Sequence, residues 1–532
     1  MSEIYVSTFM ISEKCYLGNK GYTIPKKVLK TDERRDLKKA LTVRPYIPKS
    51  PIKPPAFSIY RESPNKFYIP RFYGKNEYGK PKLEKIPDGE TIDLKFNGSL
   101  RDYQENVVNV YKSTIEDKDN GWGGLLEIPC GRGKTVIALN IISQLKKKTL
   151  VIVHKNFLLT QWVERIEQFL PGARVGKIQG QVVDIDDKDI VIGMLQSLSM
   201  KEYPPELFST FGLTIVDETH HIAAEVFVRS LFQVVTKYVI GLSATMQRKD
   251  GLTKVFKMFL GDIIYSEKRE GDDNVLVKAM TYKTDDVEFN KVKLDYRGNP
   301  QYSTMITKLC TFNNRSEFII DIIQDLLKEP TNKQLMILAH NRNLLKYLHD
   351  AIDTRNIASV GYYVGGMKEA DLKESEDKKI IVATYSMAAE ALDIKTLTTL
   401  ILATPKTDVT QAVGRILRVK HEQPLVVDII DQHSVFMRQW KKRESFYKKN
   451  NYKIIKDGED ITGIKKQTAR RKPAKKASKT KKTENKEPIN GLPDSVNTLI
   501  KETAERAGHI PDFDDSLIDD PLRGHCLLSL DE

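Results

Sequence analysis

The stretch EIPCGRGKTVIAL, residues 127–139, places a glycine-bearing turn between a strand-like segment and a helix-like segment. Backbone N–H groups in such a turn can point at phosphate oxygens, and the N-terminus of the following helix adds its positive end. Lys134 supplies a mobile cation, and the hydroxyl of Thr135 can bind Mg²⁺. The stretch therefore predicts an α/β domain that binds phosphates.

The pattern is a loose form of the P-loop. The strict form has a glycine where Ile128 stands, whereas the glycines here are Gly131 and Gly133. An ordinary tight turn between a strand and a helix is the alternative interpretation. The residues predicted to surround the phosphates are Pro129, Cys130, Gly131, Arg132, Gly133, Lys134 and Thr135.

An acidic pair is expected at the end of another strand of the same sheet. In LTIVDETHH, residues 213–221, an apolar strand-like run leads directly to Asp217 and Glu218. Asp217 is predicted to hold Mg²⁺ together with Thr135, and Glu218 to orient or deprotonate an attacking water. A capped strand end would show the same letters, but the P-loop upstream favours the functional interpretation.

Apolar strand-like segments alternate with helix-like segments in two successive series, which predicts parallel sheets covered by helices on both faces. The fold class is therefore α/β, with two similar domains in tandem. The predicted organisation is an N-terminal accessory region rich in Pro, Lys and Tyr (1–97), a first domain (98–268), a linker or insertion (269–300), a second domain (301–460), a disordered basic linker (461–490) and an acidic tail (491–532).

Charge is uneven along the 532 residues, whose formal net charge is +14. Lys465–Lys482 holds ten Lys or Arg and no acid, whereas residues 491–532 hold ten Asp or Glu against three Lys or Arg. Between residues 45 and 78, aromatic and basic side chains alternate among prolines, which fits base stacking and packing on the first domain equally well.

The totals exclude several classes of protein. The longest apolar runs fall far short of the roughly 20 residues that cross a bilayer, and the N-terminus lacks a signal pattern, so we expect an intracellular soluble protein without a membrane partner. Neither a zinc site, an iron–sulfur cluster nor a disulfide framework is expected, because the four cysteines stand far apart: Cys15, Cys130, Cys310 and Cys526.

Residues 98 to about 435 resemble a superfamily 2 helicase, because the whole motif series of that superfamily occurs in order. The matching stretches are LRDYQ (100–104), CGRGKT (130–135), VIVHKNFLLTQW (151–162), GMLQSL (193–198), DETH (217–220), GLSAT (241–245), MILAHNRN (336–343), VATYSMAAEALDI (382–394) and QAVGRILR (411–418). The chain is most similar to the XPB-like branch and its viral and phage members, such as UvsW and the poxvirus transcript-release helicase. One departure is Arg248-Lys249-Asp250, where XPB has Arg-Glu-Asp.

The resemblance implies two RecA-like domains that bind ATP and Mg²⁺ and act on DNA or RNA, mostly through backbone phosphates. The catalytic residues it implies are Lys134, Asp217, Glu218, Gln411, Arg415 and Arg418. Arg101 and Gln104 would contact the adenine. The residues that would relay the nucleotide state are His220, Ser243, Thr245 and Asp393, while Arg342 and Thr384 would contact the nucleic acid.

The octet QAVGRILR is predicted to form a helix in which Gln411, Arg415 and Arg418 share one face. By itself this helix face could be a solvated surface. A triphosphate bound to the P-loop would offer its two arginines a negatively charged partner. Arginines of this kind can supply a finger to the γ-phosphate when two domains close.

Several functional alternatives remain open. The leading hypothesis is an ATP-dependent helicase that unwinds or remodels DNA or RNA–DNA duplexes, in viral transcript release or in recombination and repair. A translocase that tracks duplexes without separating them, an ATP-dependent RNA helicase, and an inactive binding scaffold are the alternatives. We expect a monomer from a large DNA virus, with the transcription machinery as a partner, acting in the host cytoplasm, a viral factory or the virion, or in the nucleus.

Overall fold

The computed structural model describes residues 11–46, 53–117, 122–129, 131–219, 224–246, 250–267, 274–328, 334–390, 394–417, 419 and 421–462. The chain divides into two units, one of residues 1–270 with 389–393 and 417–419, and one of residues 271–388 with 394–416 and 420–532. The predicted acidic tail and nearly all of the predicted basic linker lie outside the described residues. Among the described helices, none is both long and apolar enough to cross a bilayer.

The N-terminal accessory region forms a small sheet. Its strands, in spatial order, are Arg61–Glu62, Lys66–Ile69, Gly21–Pro25, Tyr16–Gly18 and Leu83–Glu84. A separate strand pair joins Thr42–Val43 to Phe57–Ser58, and the helices described in this region are short, Thr31–Ala40 and Arg71–Tyr78. Frequent prolines account for this brevity, because proline lacks the N–H that a helix interior requires.

The accessory region packs against the first domain. The Arg71 guanidinium is buried and donates hydrogen bonds to the carbonyls of Thr236 (3.1 Å) and Lys237 (2.8 Å). Phe67 and Phe72 are buried in a hydrophobic core shared with that domain. These two aromatic side chains therefore serve packing, which is one of the two interpretations that the sequence left open.

The first domain is an eight-stranded sheet. Its strands, in spatial order, are Val182–Asp184, Val175–Gln179, Ile190–Met194, Thr149–Val153, Leu213–Val216, Tyr238–Ser243, Gly123–Glu127 and Ile263–Ser266. All neighbours are parallel except the outer pair at Val182–Asp184. The helices of the domain are Asp102–Glu116, Lys134–Leu145, Asn156–Phe169, Leu195–Met200, Ala224–Leu231 and Thr253–Leu260. The phosphate turn, the acidic pair and Ser243 consequently meet at the carboxyl edge of one sheet.

The second domain repeats this design. Its strands, in spatial order, are Val360–Tyr363, Ile380–Thr384, Gln334–Ala339, Leu397–Leu402, Leu425–Asp431, Leu276–Tyr282, Lys453–Lys456 and Glu459–Asp460. Only the last pair is antiparallel. The helices are Val287–Asn290, Tyr302–Thr311, Asn313–Lys328, Arg342–Thr354, Glu369–Glu376, Tyr385–Glu390, Thr410–Arg415 and Ser434–Lys449. The predicted fold class, two tandem RecA-like domains, is confirmed.

Two details differ from the sequence predictions. The segment predicted as a linker or insertion, 269–300, contributes the strand Leu276–Tyr282, which lies between two other strands of the second sheet. The helix predicted over QAVGRILR ends at Arg415, so the octet is not one continuous helix. The boundary predicted between residues 97 and 98 stays a prediction, because both sides of it belong to the same unit.

Buried ion pairs hold the last helix of the second domain to its sheet. Arg443 donates from Nε and Nη2 to the two carboxylate oxygens of Asp428, at 2.8 Å each. The Tyr447 hydroxyl donates to the same carboxylate at 2.9 Å. Both charged side chains are only 1% exposed. Each charge therefore depends on its partner, because an unpaired charge at this depth would be strongly unfavourable.

We expect Arg443→Leu to lower the free energy of unfolding by about 3–5 kcal/mol, because it leaves the Asp428 carboxylate buried without its cation. Guanidinium-induced unfolding of the full chain measures the change. Lys346→Met is the control, since it removes a lysine from an exposed pair with Asp350 and should cost at most about 0.5 kcal/mol. Equal effects of the two substitutions would contradict the prediction.

Candidate active site

The phosphate turn requires two glycines. Gly131 and Gly133 have φ angles of +82° and +77°, in the left-handed region that other residues avoid. Gly133 directly precedes the helix Lys134–Leu145, and a Cβ atom there would lie 2.5 Å from Nε2 of Gln104. The turn therefore exposes its backbone at a helix N-terminus, as the sequence predicted. Cys130 lies outside the described residues.

The LRDYQ element is hydrogen-bonded to this turn. Gln104 is buried, its Oε1 accepts from the backbone N–H of Arg101 at 3.0 Å, and its Nε2 donates to the carbonyl of Arg132 at 3.1 Å. The Tyr103 hydroxyl donates to the same carbonyl at 3.2 Å. Gln104 thus braces the phosphate turn, while the adenine contact of Arg101 and Gln104 stays a prediction.

Arg132 points away from the turn's backbone. Its guanidinium forms an ion pair with Glu267 and lies 3.9 Å from the centroid of the Tyr103 ring. The carboxylate raises the pKa of Arg132 by hydrogen bonding to the charged form, against an opposing effect of burial. The side chain is therefore held within the first domain, on the ring of the residue that precedes Gln104.

Lys134 and the acidic pair come together at the carboxyl edge. Nζ of Lys134 lies 2.9 Å from Oε1 of Glu218, and the two side chains are 11% and 21% exposed. Asp217 is 5% exposed and follows the strand Leu213–Val216 directly. Thr135 lies beside Lys134 in the first turn of the helix. The four residues that the sequence predicted for catalysis and Mg²⁺ binding in this domain occupy one sheet edge.

The carboxylate of Asp217 is fixed by two donors. Nε1 of Trp162 donates to Oδ2 at 2.9 Å, and the backbone N–H of Glu218 donates to Oδ1 at 2.9 Å. Burial raises the pKa of Asp217 to about 6, and the Glu218 charge adds to this rise, whereas Lys134 and the two hydrogen bonds oppose it. Positive charge close to Asp217 therefore favours its ionised form, against the effect of burial.

Glu218 has an unusual backbone. Its φ is +48°, in the left-handed region, which costs a residue with a Cβ atom roughly 1–2 kcal/mol. This conformation turns the chain sharply after the strand and lets the N–H of Glu218 reach the side chain of Asp217. The strain thus coincides with the hydrogen bond that orients the buried carboxylate.

The predicted coupling pair, Ser243 and Thr245, lies at the end of the strand Tyr238–Ser243 and just after it. Ser243 is fully buried, its hydroxyl donates to the Thr245 carbonyl at 2.6 Å, and its own carbonyl accepts from the N–H of Ile128 at 2.9 Å. The Glu127 carboxylate accepts from the N–H of Met246 (2.8 Å) and the hydroxyl of Ser266 (2.6 Å). The segment after Ser243 is therefore tied to the strand that leads into the phosphate turn.

Sequence reasoning missed two residues at this site. The motif VIVHKNFLLTQW contains Trp162 but predicts no role for it, and the opening stretch predicts for Glu127 only a place in a strand. A buried Trp needs a partner for its N–H, which is a signal that could have directed attention to Trp162. No local pattern indicates the contact between Glu127 and Met246, since Glu127 ends the strand Gly123–Glu127 and Met246 follows the strand Tyr238–Ser243.

The remaining predicted residues lie in the second domain or outside the described chain. Gln411 and Arg415 are in the helix Thr410–Arg415, where Arg415 is 6% exposed. Arg342 and Thr384 lie at the carboxyl edge of the second sheet, and Nη2 of Arg342 donates to the Gly365 carbonyl at 2.5 Å. The predicted residues outside the described chain, besides Cys130, are His220, Asp393 and Arg418.

A glycine turn stands at a helix N-terminus, beside an acidic pair in which Asp217 is buried and Glu218 partly buried. Together, at one edge of a parallel sheet, they define a P-loop nucleotide-binding protein. Among the described residues, no cluster of three His, Cys, Asp or Glu side chains could hold a metal.

Comparison with known proteins identifies the family. Residues 97–248 match the family described as "Type III restriction enzyme, res subunit". The "Putative ATP-dependent RNA helicase" of Acanthamoeba polyphaga mimivirus is 36% identical over 452 residues, which cover 82% of this chain and 85% of the relative. The "Putative helicase" of Invertebrate iridescent virus 6 is 26% identical, with 73% of this chain and 90% of the relative covered.

A third relative is the "Putative ATP-dependent RNA helicase" of African swine fever virus, 26% identical over 70% of this chain and 76% of its own length. The chain belongs to the superfamily 2 helicases, in the group that these viral proteins form. The predicted resemblance is confirmed, and the relatives support an origin in a large DNA virus.

The raised pKa of Asp217 predicts a pH dependence of stability. Since the folded chain binds this proton more tightly than the unfolded chain, the contribution of Asp217 to wild-type stability falls as pH rises from about 4 to 6. Asp217→Asn lacks that loss. The difference in free energy of unfolding, variant minus wild type, should therefore grow by about 1 kcal/mol between pH 5 and pH 7.

Chemical denaturation at the two pH values measures this difference. Asp325→Asn, which removes an exposed carboxylate of the second domain, is the control. A difference for Asp217→Asn that stays constant or shrinks with pH would show that the buried carboxylate is not destabilised by its surroundings.

Proposed function

We propose that the first domain binds and hydrolyses ATP with Mg²⁺, and that the chain couples this reaction to unwinding or remodelling of nucleic-acid duplexes. The observation that carries the proposal is the assembly of Lys134, Asp217 and Glu218 beside a glycine turn whose backbone faces a helix N-terminus. This arrangement offers donors for phosphate oxygens and hard oxygen ligands for Mg²⁺.

The ion pair between Lys134 and Glu218 suggests how binding prepares the reaction. Both side chains are largely buried, so each depends on the other for charge compensation. In the proposal, Lys134 turns to the β- and γ-phosphates when ATP binds, and Glu218 becomes available to orient a water and accept its proton. Binding and activation of the base would then be one event.

Thr135 and Asp217 are the proposed protein ligands of Mg²⁺. The ion would supply positive charge next to a carboxylate whose pKa is raised by burial, and would thereby favour its ionised form. Trp162 and the N–H of Glu218 hold that carboxylate in one orientation. These two donors would orient the carboxylate towards the ion. Phosphate and water would supply most of the remaining Mg²⁺ ligands.

The second domain is proposed to complete the reaction. Gln411, Arg415 and Arg418 would contact the γ-phosphate, and an arginine finger of this kind adds about 10³–10⁵ in rate. Ser243 and Thr245, with His220 and Asp393, would relay the nucleotide state. Support for Ser243 comes from its backbone bond to Ile128, next to the phosphate turn.

Nucleic acid is proposed to bind along the second domain's carboxyl edge through Arg342 and Thr384, mostly by its phosphates. The names of two relatives include RNA helicase, so an RNA helicase is the second candidate beside a DNA or RNA–DNA helicase. A translocase that does not separate strands fits the same site. Transcription machinery is the proposed protein partner, and a monomer the proposed active form.

Lys134→Ala should abolish turnover, with a loss of at least about 100-fold in kcat, because it removes the cation expected at the transferring phosphate. Lys146→Ala is the matched control, since Lys146 follows the same helix and forms an exposed pair with Asp93. Phosphate release from ATP measures both. Unimpaired turnover in Lys134→Ala would remove this lysine from the active site.

Nucleic acid should stimulate ATP hydrolysis, because the family couples the two activities. ATPase rates with single-stranded DNA, duplex DNA and RNA, all at one salt concentration, measure this, since salt alone changes affinity greatly. Displacement of strands from forked DNA, RNA duplex and RNA–DNA hybrid then ranks the substrates. If no nucleic acid raises the ATPase rate, the helicase proposal fails. If a triplex strand is displaced but no duplex is unwound, the protein is a translocase that does not separate strands.

A further inference from the structure

An exposed tyrosine stands on a turn of the second domain that the proposed function does not use. Tyr296 is 86% exposed, and Leu294 in the same turn is 55% exposed. Tyrosine carries a large apolar ring that proteins usually bury at least in part. We call residues 293–301 the aromatic turn. The exposed ring of Tyr296 can contact a partner that presents a flat surface.

The backbone of the aromatic turn is fixed by its own hydrogen bonds. The N–H of Asp295 donates to the Asn299 carbonyl at 2.7 Å, and the N–H of Gln301 donates to the Lys293 carbonyl at 2.8 Å. Oδ1 of Asp295 accepts from the N–H groups of Arg297 and Asn299, each at 2.8 Å. The tyrosine is therefore carried on an ordered support, which lowers the entropy lost when it binds.

The surroundings of Tyr296 are mainly cationic. The Arg297 guanidinium lies 5.0 Å from the centroid of the tyrosine ring. Lys293 and Lys291 are exposed on the approach to the turn. Two acids are close, but Asp295 accepts the bonds that close the turn and Glu288 lies 3.8 Å from Lys291. The exposed ring thus stands among charges that attract phosphates.

The aromatic turn is attached at the sheet edge that carries the predicted nucleic-acid residues. It ends at Gln301, and the buried Tyr302 that follows donates from its hydroxyl to the Pro405 carbonyl at 3.2 Å. Pro405 comes just after the strand Leu397–Leu402, at the carboxyl end. Arg342 and Thr384 lie at the ends of two other parallel strands of this sheet. All of these positions share one edge of one domain.

We propose that the aromatic turn binds an unpaired strand of nucleic acid, with Tyr296 stacked on a base and Arg297 and Lys293 next to the phosphates. The proposal rests on the proposed nucleic-acid function. An unpaired strand is favoured over a duplex because stacked pairs cover the faces of their bases, whereas a free strand can offer a base to an aromatic ring. Such stacking is tolerant of sequence, since every base has a π-face.

The test compares Tyr296→Ala with Tyr296→Phe in the full chain without ATP. Fluorescence anisotropy measures the Kd for a labelled oligo-dT strand, a labelled oligo-U strand and a duplex of the same length. Tyr296→Ala should weaken single-strand binding about 5- to 100-fold, which is the range for one lost stacking contact. Tyr296→Phe keeps the ring and should stay within about twofold of the wild type, and the duplex Kd should not change in either variant.

Val287→Ala is the matched control, because Val287 is another exposed apolar side chain (78%) of the second unit but carries no aromatic ring. It should bind every probe as the wild type does. Arg297→Gln should weaken single-strand binding and reduce the steepness with which log Kd depends on log salt, because one phosphate contact is lost. ATP hydrolysis without nucleic acid should be unaffected in all four variants, since none touches the phosphate turn.

Wild-type affinity of Tyr296→Ala for single strands would overturn the proposal, and so would an equal loss on strands and duplexes, since neither result is compatible with base stacking. These outcomes leave the proposed function intact, because the wild-type chain still binds nucleic acid in both. If the wild type binds no probe, the proposed function fails together with this inference.

Discussion

The buried carboxylate of Asp217 sets the strongest constraint on the first domain. Burial raises its pKa to about 6, although donors and positive charge around it favour the ionised form. Trp162, the N–H of Glu218 and the ammonium group of Lys134 provide these from three different segments. Their arrangement fixes where the helix of the phosphate turn stands relative to the strand Leu213–Val216.

That constraint extends to the backbone on both sides. Glu218 takes a left-handed conformation to turn its N–H towards Asp217, and Gly133 takes one to begin the helix that presents Lys134. Gln104 lies so close to Gly133 that a Cβ atom there would displace its amide group, which is hydrogen-bonded to the Arg132 carbonyl. The site therefore combines local strain with tight packing, which is how a protein can hold charged groups in place before a ligand arrives.

The second domain also contains buried charges, and there they form ion pairs that hold helices to the sheet. Two buried arginines, Arg443 and Arg315, bind the carboxylates of Asp428 and Asp431 in the strand Leu425–Asp431. These ion pairs anchor the flanking helices to the sheet. The pair of Arg315 and Asp431 lies at the carboxyl edge, which also carries Arg342 and Thr384. The polar groups with proposed functions thus stand on an edge whose underlying strands are rigidly held.

The sequence by itself determined the two parallel sheets, the phosphate turn and the acidic pair. Apolar runs indicate strands that are buried on both faces, and glycines indicate a turn with positive φ angles. Both features can be predicted because they depend on residues that are neighbours in the sequence. Family membership followed from the order of the motifs between residues 98 and 435. The strand Leu276–Tyr282 was not recognised, because its partners lie about 150 or more residues further along the chain.

Only the tertiary structure decided which side chains meet. Trp162 and Asp217 are 55 residues apart in sequence, and Glu127 and Met246 are 119 residues apart. It also ended the octet's helix at Arg415 and left Tyr296 exposed on a closed turn. Periodicity carries no information on such contacts, because it describes one element at a time, whereas partners and exposure are set by how distant segments pack.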